Sequence, residues 1–204
     1  MKSQIRSWSS WGCVVVVLLV ACKPRQSPLE TQTAPLVPAQ RSALLVEPIS
    51  VDSGALVTSD SLSVHGLGWR VPAGWILTPT HEHPRIAQVR TIGGLEILVF
   101  SFGRGGGGIQ ANFQRWREQV QFIQDSAIEV DTAKGVVRAI GRWTGNYRGG
   151  NGSKAADGSL QTLLGAVVEG PGGSVFFKVV GSKDKLGAQG RPIIQWIRSG
   201  HARS

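Results

Sequence analysis

Two stretches of this chain carry residue types that can do chemistry. The first is His81-Glu82-His83. Imidazoles and carboxylates are metal ligands, and alternate residues of a strand would put both imidazoles on one face. Pro79 and Pro84 bracket the triplet, so it reads as a loop; no third or fourth ligand stands near in sequence, although His65 could come close in space. The expectation is an exposed polar turn that retains no zinc. The second stretch is Gly103–Gln124, GRGGGGIQANFQRWREQVQFIQ. Gly103, Gly105 and Gly108 fit G-x-G-x-x-G between a strand and a helix, where a phosphate could sit on free helix amides. Consecutive glycines satisfy many such templates, however. No Lys-Ser or Lys-Thr pair follows, and the downstream sequence reads as strand after strand, not repeated βα units. A tight turn is expected here, with no nucleotide or other cofactor.

Within that stretch Asn112, Arg115, Trp116 and Gln119 form the candidate binding constellation. Arg115 and Gln119 stand one helical turn apart and could face a ligand together. The structural reading of the same four residues is plainer: Asn112 caps the helix, Trp116 packs, and the other two are solvated. Other chemistry is poorly supplied. There is no G-x-S-x-G elbow and no H-E-x-x-H, and nothing in the sequence places a serine beside a histidine. Paired carboxylates are sparse among 13 acidic residues. No catalytic residue is assigned.

The elements that must hold these residues follow from periodicity. Phe113, Trp116, Val120 and Ile123 make one apolar stripe of a short helix. Leu95–Phe102 is apolar on both faces and so belongs in a sheet centre. Arg85–Ile92 pairs with it across Gly93-Gly94, a strong hairpin signal. Leu67–Val71 and Gly74–Leu77 read as two short extended pieces joined by a Pro-Ala-Gly turn. Ala127–Ala133 and Val136–Trp143 form a hairpin over Lys134-Gly135, with Arg138 and Arg142 opposite Val137, Ala139 and Trp143. Gly145–Ser159 reads as a loop. Leu163–Val168 and Ser174–Val180 pair across Gly170–Gly173. Lys183–Ser199 ends in a helix striped by Ile193, Trp196 and Ile197, its well-formed part opened by Pro192. The sum is an α+β domain, a mostly antiparallel sheet of about six strands with two packed helices.

The N-terminus has its own logic. Lys2 and Arg6 precede an apolar run, Cys13–Ala21, that falls short of the roughly 20 residues needed to cross a bilayer. The order of charged, apolar and small residues is that of a secretory leader. It ends in Leu19-Val20-Ala21-Cys22, which resembles a bacterial lipoprotein signal. The resemblance implies cleavage before Cys22 and acylation of that cysteine. Lys23, in place of an aspartate, implies onward sorting to an outer membrane. The chain has two cysteines. Cys13 leaves with the leader and Cys22 is acylated, so the folded part has no thiol for a disulfide, a zinc site or a nucleophile. Residues 23–50 contain five prolines among Gln, Ser, Thr and Ala and cannot bury enough surface to offset their ordering entropy. The expected organisation is a leader at 1–21, a disordered tether at 22–50, an uncertain lead-in at 51–64 and a globular domain at 65–200. The net charge is +9, two units of which leave with Lys2 and Arg6. The remaining positives are dispersed, which reads as a solvated surface, and no nucleic acid partner is expected.

Three motifs carry a further resemblance: Trp69-x-x-Pro72-x-x-Trp75, Gly107-Gly108-x-x-x-Asn112-x-x-Arg115-Trp116-x-x-Gln119 and Phe177-Lys178-x-x-Gly181. Over roughly Leu67–Ser199 they resemble a group of bacterial exported proteins and lipoproteins to which no activity is attached. The order of elements also resembles the PsbP-like α/β/α sandwich, a scaffold of non-catalytic, often membrane-associated factors. Together these imply a lipid-anchored envelope module, on the periplasmic side of an outer membrane in a Gram-negative cell, that binds or scaffolds an envelope protein. The alternative is a small-ligand binder or enzyme using the Gly103–Gln119 corner. A polar pocket at that corner would favour the alternative, and a filled apolar one the first reading.

Overall fold

The computed structural model describes residues 49–51, 55–149 and 159–203. The leader and nearly all of the proline-rich tether, 1–48, lie outside the described residues, as do residues 150–158 of the expected loop. Four short strands come first: β1 (Ile49–Val51), β2 (Ala55–Val57), β3 (Ser61–Val64) and β4 (Leu67–Arg70). Next are β5 (Ile76–Pro79), β6 (Arg85–Arg90) and β7 (Glu96–Phe100). A 3-10 turn, Gly103–Gly105, leads into α1 (Gly108–Glu118). Two long hairpins follow, β8 (Val120–Ala133) with β9 (Val136–Tyr147), then β10 (Gln161–Gly170) with β11 (Gly173–Ser182). The chain closes with α2 (Lys183–Arg198) and β12 (His201–Ala202).

The fold is α+β. Seven strands make the main sheet in the order β5-β6-β7-β11-β10-β9-β8, and five make a second sheet, β1-β2-β3-β4-β12. Every pairing is antiparallel. The second sheet is an addition to the expected single sheet of about six strands. Leu67–Val71 and Gly74–Leu77 do not pair with each other either: β4 belongs to the second sheet and β5 to the edge of the first. The turn between them, closed by Trp75 N–H donating to Pro72 O (3.1 Å), hands the chain from one sheet to the other.

Alternation along β11 separates the two faces of the main sheet. Val175, Phe177 and Val179 join one apolar core, with α2 residues Leu186, Ile193, Trp196 and Ile197 and with Leu62, Leu67 and Trp69 of the second sheet. Phe176 joins the other core, with Phe113 and Trp116 of α1, Trp143 and Leu163. The two helices therefore cover opposite faces, and the second sheet shares a face with α2. Tryptophans stitch that face from both sides. Trp69 Nε1 donates to Ile197 O near the end of α2 (3.0 Å), while Trp196 Nε1 of α2 donates to Arg70 O of β4 (2.9 Å). Phe177 meets both rings edge-on, at 5.3 and 5.7 Å.

Both helices depart from their expected bounds. α1 stops at Glu118, and Val120 and Ile123 belong to β8. Arg148 N–H donates to Gln119 O (2.6 Å), so pairing with the β9 end takes over where the apolar stripe alone would have continued the helix. α2 runs unbroken from Lys183 through Pro192, with Ser182 Oγ accepting from Lys185 N–H (3.3 Å) at its start. Pro192 leaves the Ala188 carbonyl without its helical donor, and both residues are exposed, so water can supply the bond. Arg138 is also corrected. It is buried rather than solvated, donating to Gly200 O (2.6 Å) and Val136 O (3.2 Å), because α2 roofs the face that period-2 reading left open. Its Nε has no hydrogen-bond partner. No helix among the described residues is long and apolar enough to cross a membrane.

Candidate functional site

The glycine run places the candidate constellation. Gly107 (φ 81°) and Gly108 (φ 65°) occupy the left-handed region, where a side chain would be strained. Gly107 is the residue before the helix, so Asn112 is not the N-cap. It sits one turn inside, 1% exposed, and makes no cap: it binds carbonyls of the glycine loop and of the first helical residue instead of free helix amides. Its Nδ2 donates to Gly106 O (2.6 Å) and Gly108 O (2.7 Å), and its Oδ1 accepts from Arg115 Nη1 (2.9 Å). The loop is thus pinned shut by an amide with its donors used. Gly106 also lies against Phe176: an added Cβ would stand 2.5 Å from Cζ.

Trp116 fills the corner. Its ring lies against Gly165 of β10, where a Cβ would be 2.2 Å from Cε3. Phe113 packs beside it (5.9 Å between centroids) and edge-on to Trp143 (5.4 Å). Arg115 and Gln119 do not converge on a shared space. Arg115 turns back to Asn112, and Gln119 Oε1 accepts from Lys178 Nζ (2.6 Å). Lys178 is half-buried and stands 5.4 Å over the Tyr147 ring, a cation–π geometry. Lys178 had a legible signal that the constellation missed. Strand alternation puts it between Phe176 and Val180 on the α1 face, a charge inside an otherwise apolar row.

Arg115→Ala is expected to cost about 1 kcal/mol, the net worth of one part-buried hydrogen bond to the buried Asn112. Gln119→Ala should cost more, about 1–2 kcal/mol, since it strips the acceptor from a half-buried ammonium. Thermal melts of the two variants check the ranking. Equal, negligible effects would mean that Gln119 does not hold Lys178.

The histidines divide. His81 and His83 are exposed in the β5–β6 loop, where Glu82 pairs with Arg85. His65, in the β3–β4 turn, lies with Nε2 2.7 Å from Ser101 Oγ. A serine and a histidine are therefore brought together across 36 residues, contrary to the expectation that nothing places such a pair. Ser101 is fully buried (0% exposed), so no substrate carbonyl can reach its hydroxyl, and no carboxylate among the described residues orients the imidazole. The pair reads as a satisfied interior hydrogen bond. Among the described residues no group of three or more His, Cys, Asp or Glu is placed to hold a metal.

Two open grooves lined by described residues lie away from the α1 corner. One, of about 410 Å³, runs between the start of α2 and β8–β10, past Asp125, Arg142, Thr144, Thr162 and Lys183. The other, of about 460 Å³, lies on the second sheet.

No protein-family model and no curated protein matches the chain. Among solved structures it is similar to the solution structure of cyanobacterial PsbP (CyanoP) from Synechocystis sp. PCC 6803. The match covers 72% of this chain and 94% of that one, at 13% identity and a TM-score of 0.47.

Proposed function

We propose that this chain is a lipoprotein of the bacterial cell envelope, held to a membrane through Cys22, whose folded part binds or scaffolds a protein partner without catalysis. The observation that carries the reading is Leu19-Val20-Ala21-Cys22 at the end of a short, positively led apolar run. Two or more acyl chains hold a protein on a bilayer stably, each buried CH₂ contributing about 0.8 kcal/mol. The filled α1 corner supports the non-catalytic half: Trp116 and Phe113 occupy the space a substrate would need, and Asn112 closes the glycine loop. The inaccessible Ser101 adds to it. One observation favours a ligand at the Gly103–Gln119 corner instead, namely that Lys178 makes no ion pair among the described residues.

Metabolic labelling with a palmitate analogue tests the anchor. The wild-type chain should take up label and Cys22→Ser should take up none. An unlabelled wild type, or a labelled Cys22→Ser variant, contradicts the reading.

A further inference from the structure

We propose that the outward face of the five-stranded sheet binds a phosphate group through Arg70 and Arg203, with His201 lining the same hollow. Leu62, Val64, Leu67 and Trp69 point into the core, so alternation turns Ser61, Ser63, Gly68 and Arg70 outward. Gly68 is the centre of this face, and its missing side chain leaves room that the Arg203 stem covers. β12 sets His201 directly across from Gly68, and Arg70 stands two residues along the same strand. Those relations put the His201 and Arg70 Cα atoms about 5 and 7 Å from the glycine Cα, with both side chains on the same face. Arg203 crosses from the far side: its Cδ and Nε lie 2.9 and 3.7 Å from where a Gly68 Cβ would stand, and its N–H donates to Gly66 O (2.8 Å).

The resulting hollow, about 460 Å³, is also lined by Asp60 and Ser61. Thr58 Oγ1 donates to Asp60 Oδ1 (2.9 Å) and lies 2.7 Å from Ser61 Oγ. The hollow sets two guanidiniums against the one carboxylate of Asp60 and remains net positive. Neither Arg70 nor Arg203 makes an ion pair among the described residues. His201 Nδ1 is engaged by Ser199 O (3.3 Å), so the free donors are those of the two guanidinium forks, more than the two oxygens of a carboxylate can use. A phosphate, with more oxygens at tetrahedral spread, matches them. The phosphate can belong to a soluble ester or to a lipid headgroup, and the site stands whether or not Cys22 is acylated.

Calorimetric titration of the full chain in detergent micelles, at about 0.15 M salt to screen diffuse attraction, tests the site with two probes. Inorganic phosphate represents soluble esters, and glycerophosphoglycerol represents a lipid headgroup. At least one should bind, and its preference over the other identifies the source. Arg70→Gln with Arg203→Gln should weaken binding at least about tenfold, as loss of two charge-assisted contacts would. Gly68→Ala should weaken it at unchanged net charge, because the added Cβ displaces Arg203. Arg117→Gln with Arg191→Gln, matched in charge but remote in sequence and on the helices, should leave it intact. Absence of binding by both probes overturns the proposal. So does an equal loss in the charge-matched control, or full binding by Gly68→Ala with its melting temperature preserved.

Discussion

Trp69→Ala is expected to lower the unfolding free energy by about 3–5 kcal/mol, the range for deleting a large buried aromatic. Three separate losses meet at this residue. The side chain is 1% exposed and packs edge-on to Phe177, so its removal leaves a cavity between the two sheets and α2. Its indole N–H donates to Ile197 O, and that carbonyl is left with the longer bond from Gly200 N–H (3.3 Å). Gly200 approaches the ring so closely that an added Cβ would lie 2.4 Å from Cε2, so the turn into β12 loses its backing too. At about 2–4 °C per kcal/mol for a domain of this size, the melting temperature should fall by about 10 °C. Trp75→Ala, at a partly buried position against Trp196, should cost clearly less. A Trp69→Ala variant melting within about 2 °C of wild type would show that the second sheet and α2 are not joined through this ring.

Gly165→Ala should cost about 3 kcal/mol, at the upper end of overpacking, although nothing about a glycine-to-alanine change in a strand would suggest it. Gly165 is a mid-strand residue of β10, where alanine would ordinarily help. Here the Trp116 ring occupies the place of the side chain, with three ring carbons within 2.8 Å of the would-be Cβ. The ring is large and backed by Phe113 and Trp143, so it cannot slide aside at small cost. Expelling it detaches α1 from the sheet. A double-mutant cycle separates this from a backbone effect: Gly165→Ala combined with Trp116→Ala should cost well under the sum of the two single changes. Additive costs in denaturant melts would mean that the ring is not what meets the new methyl.

The parts of the fold that could be read in advance were those whose turns specify themselves. Lys134 (φ 50°) and Gly135 (φ 73°) are both left-handed, the geometry a two-residue hairpin requires. Thr91 N–H donates to Leu95 O (2.9 Å), closing the other hairpin at the expected place but over three residues, Ile92 to Gly94, one more than the Gly93-Gly94 pair alone. The apolar row Ile193, Trp196 and Ile197 placed the end of α2. What escaped has a shared cause, the absence of a local signal. β1, β3 and β12 are two to four residues long, too short for a period to stand out among serines and glycines, so the second sheet to which β4 belongs was not legible. Arg138 sits on a strand whose alternation looks half-solvated, and its burial depends on a helix more than 40 residues later. The tail of α1 misled because Val120 satisfies a helical stripe and a strand equally well.

The candidate site was half legible for the same reason. Asn112 and Trp116 belong to the glycine corner as the spacing suggested, but their roles come from partners far along the chain: Gly165 under the tryptophan, and Lys178 taking Gln119 away from Arg115. His65 and Ser101 form a pair no motif could announce. Hydrogen bonds and close contacts between distant segments carry no periodicity, so they become visible once the chain is folded.

Intact-mass measurement of the protein extracted from membranes addresses the anchor without intermediaries. The account predicts a chain that starts at Cys22 and carries the added mass of a diacylglyceryl thioether, with or without a further acyl group on its amine. A species that retains residues 1–21, or that bears an unmodified thiol at Cys22, would contradict it.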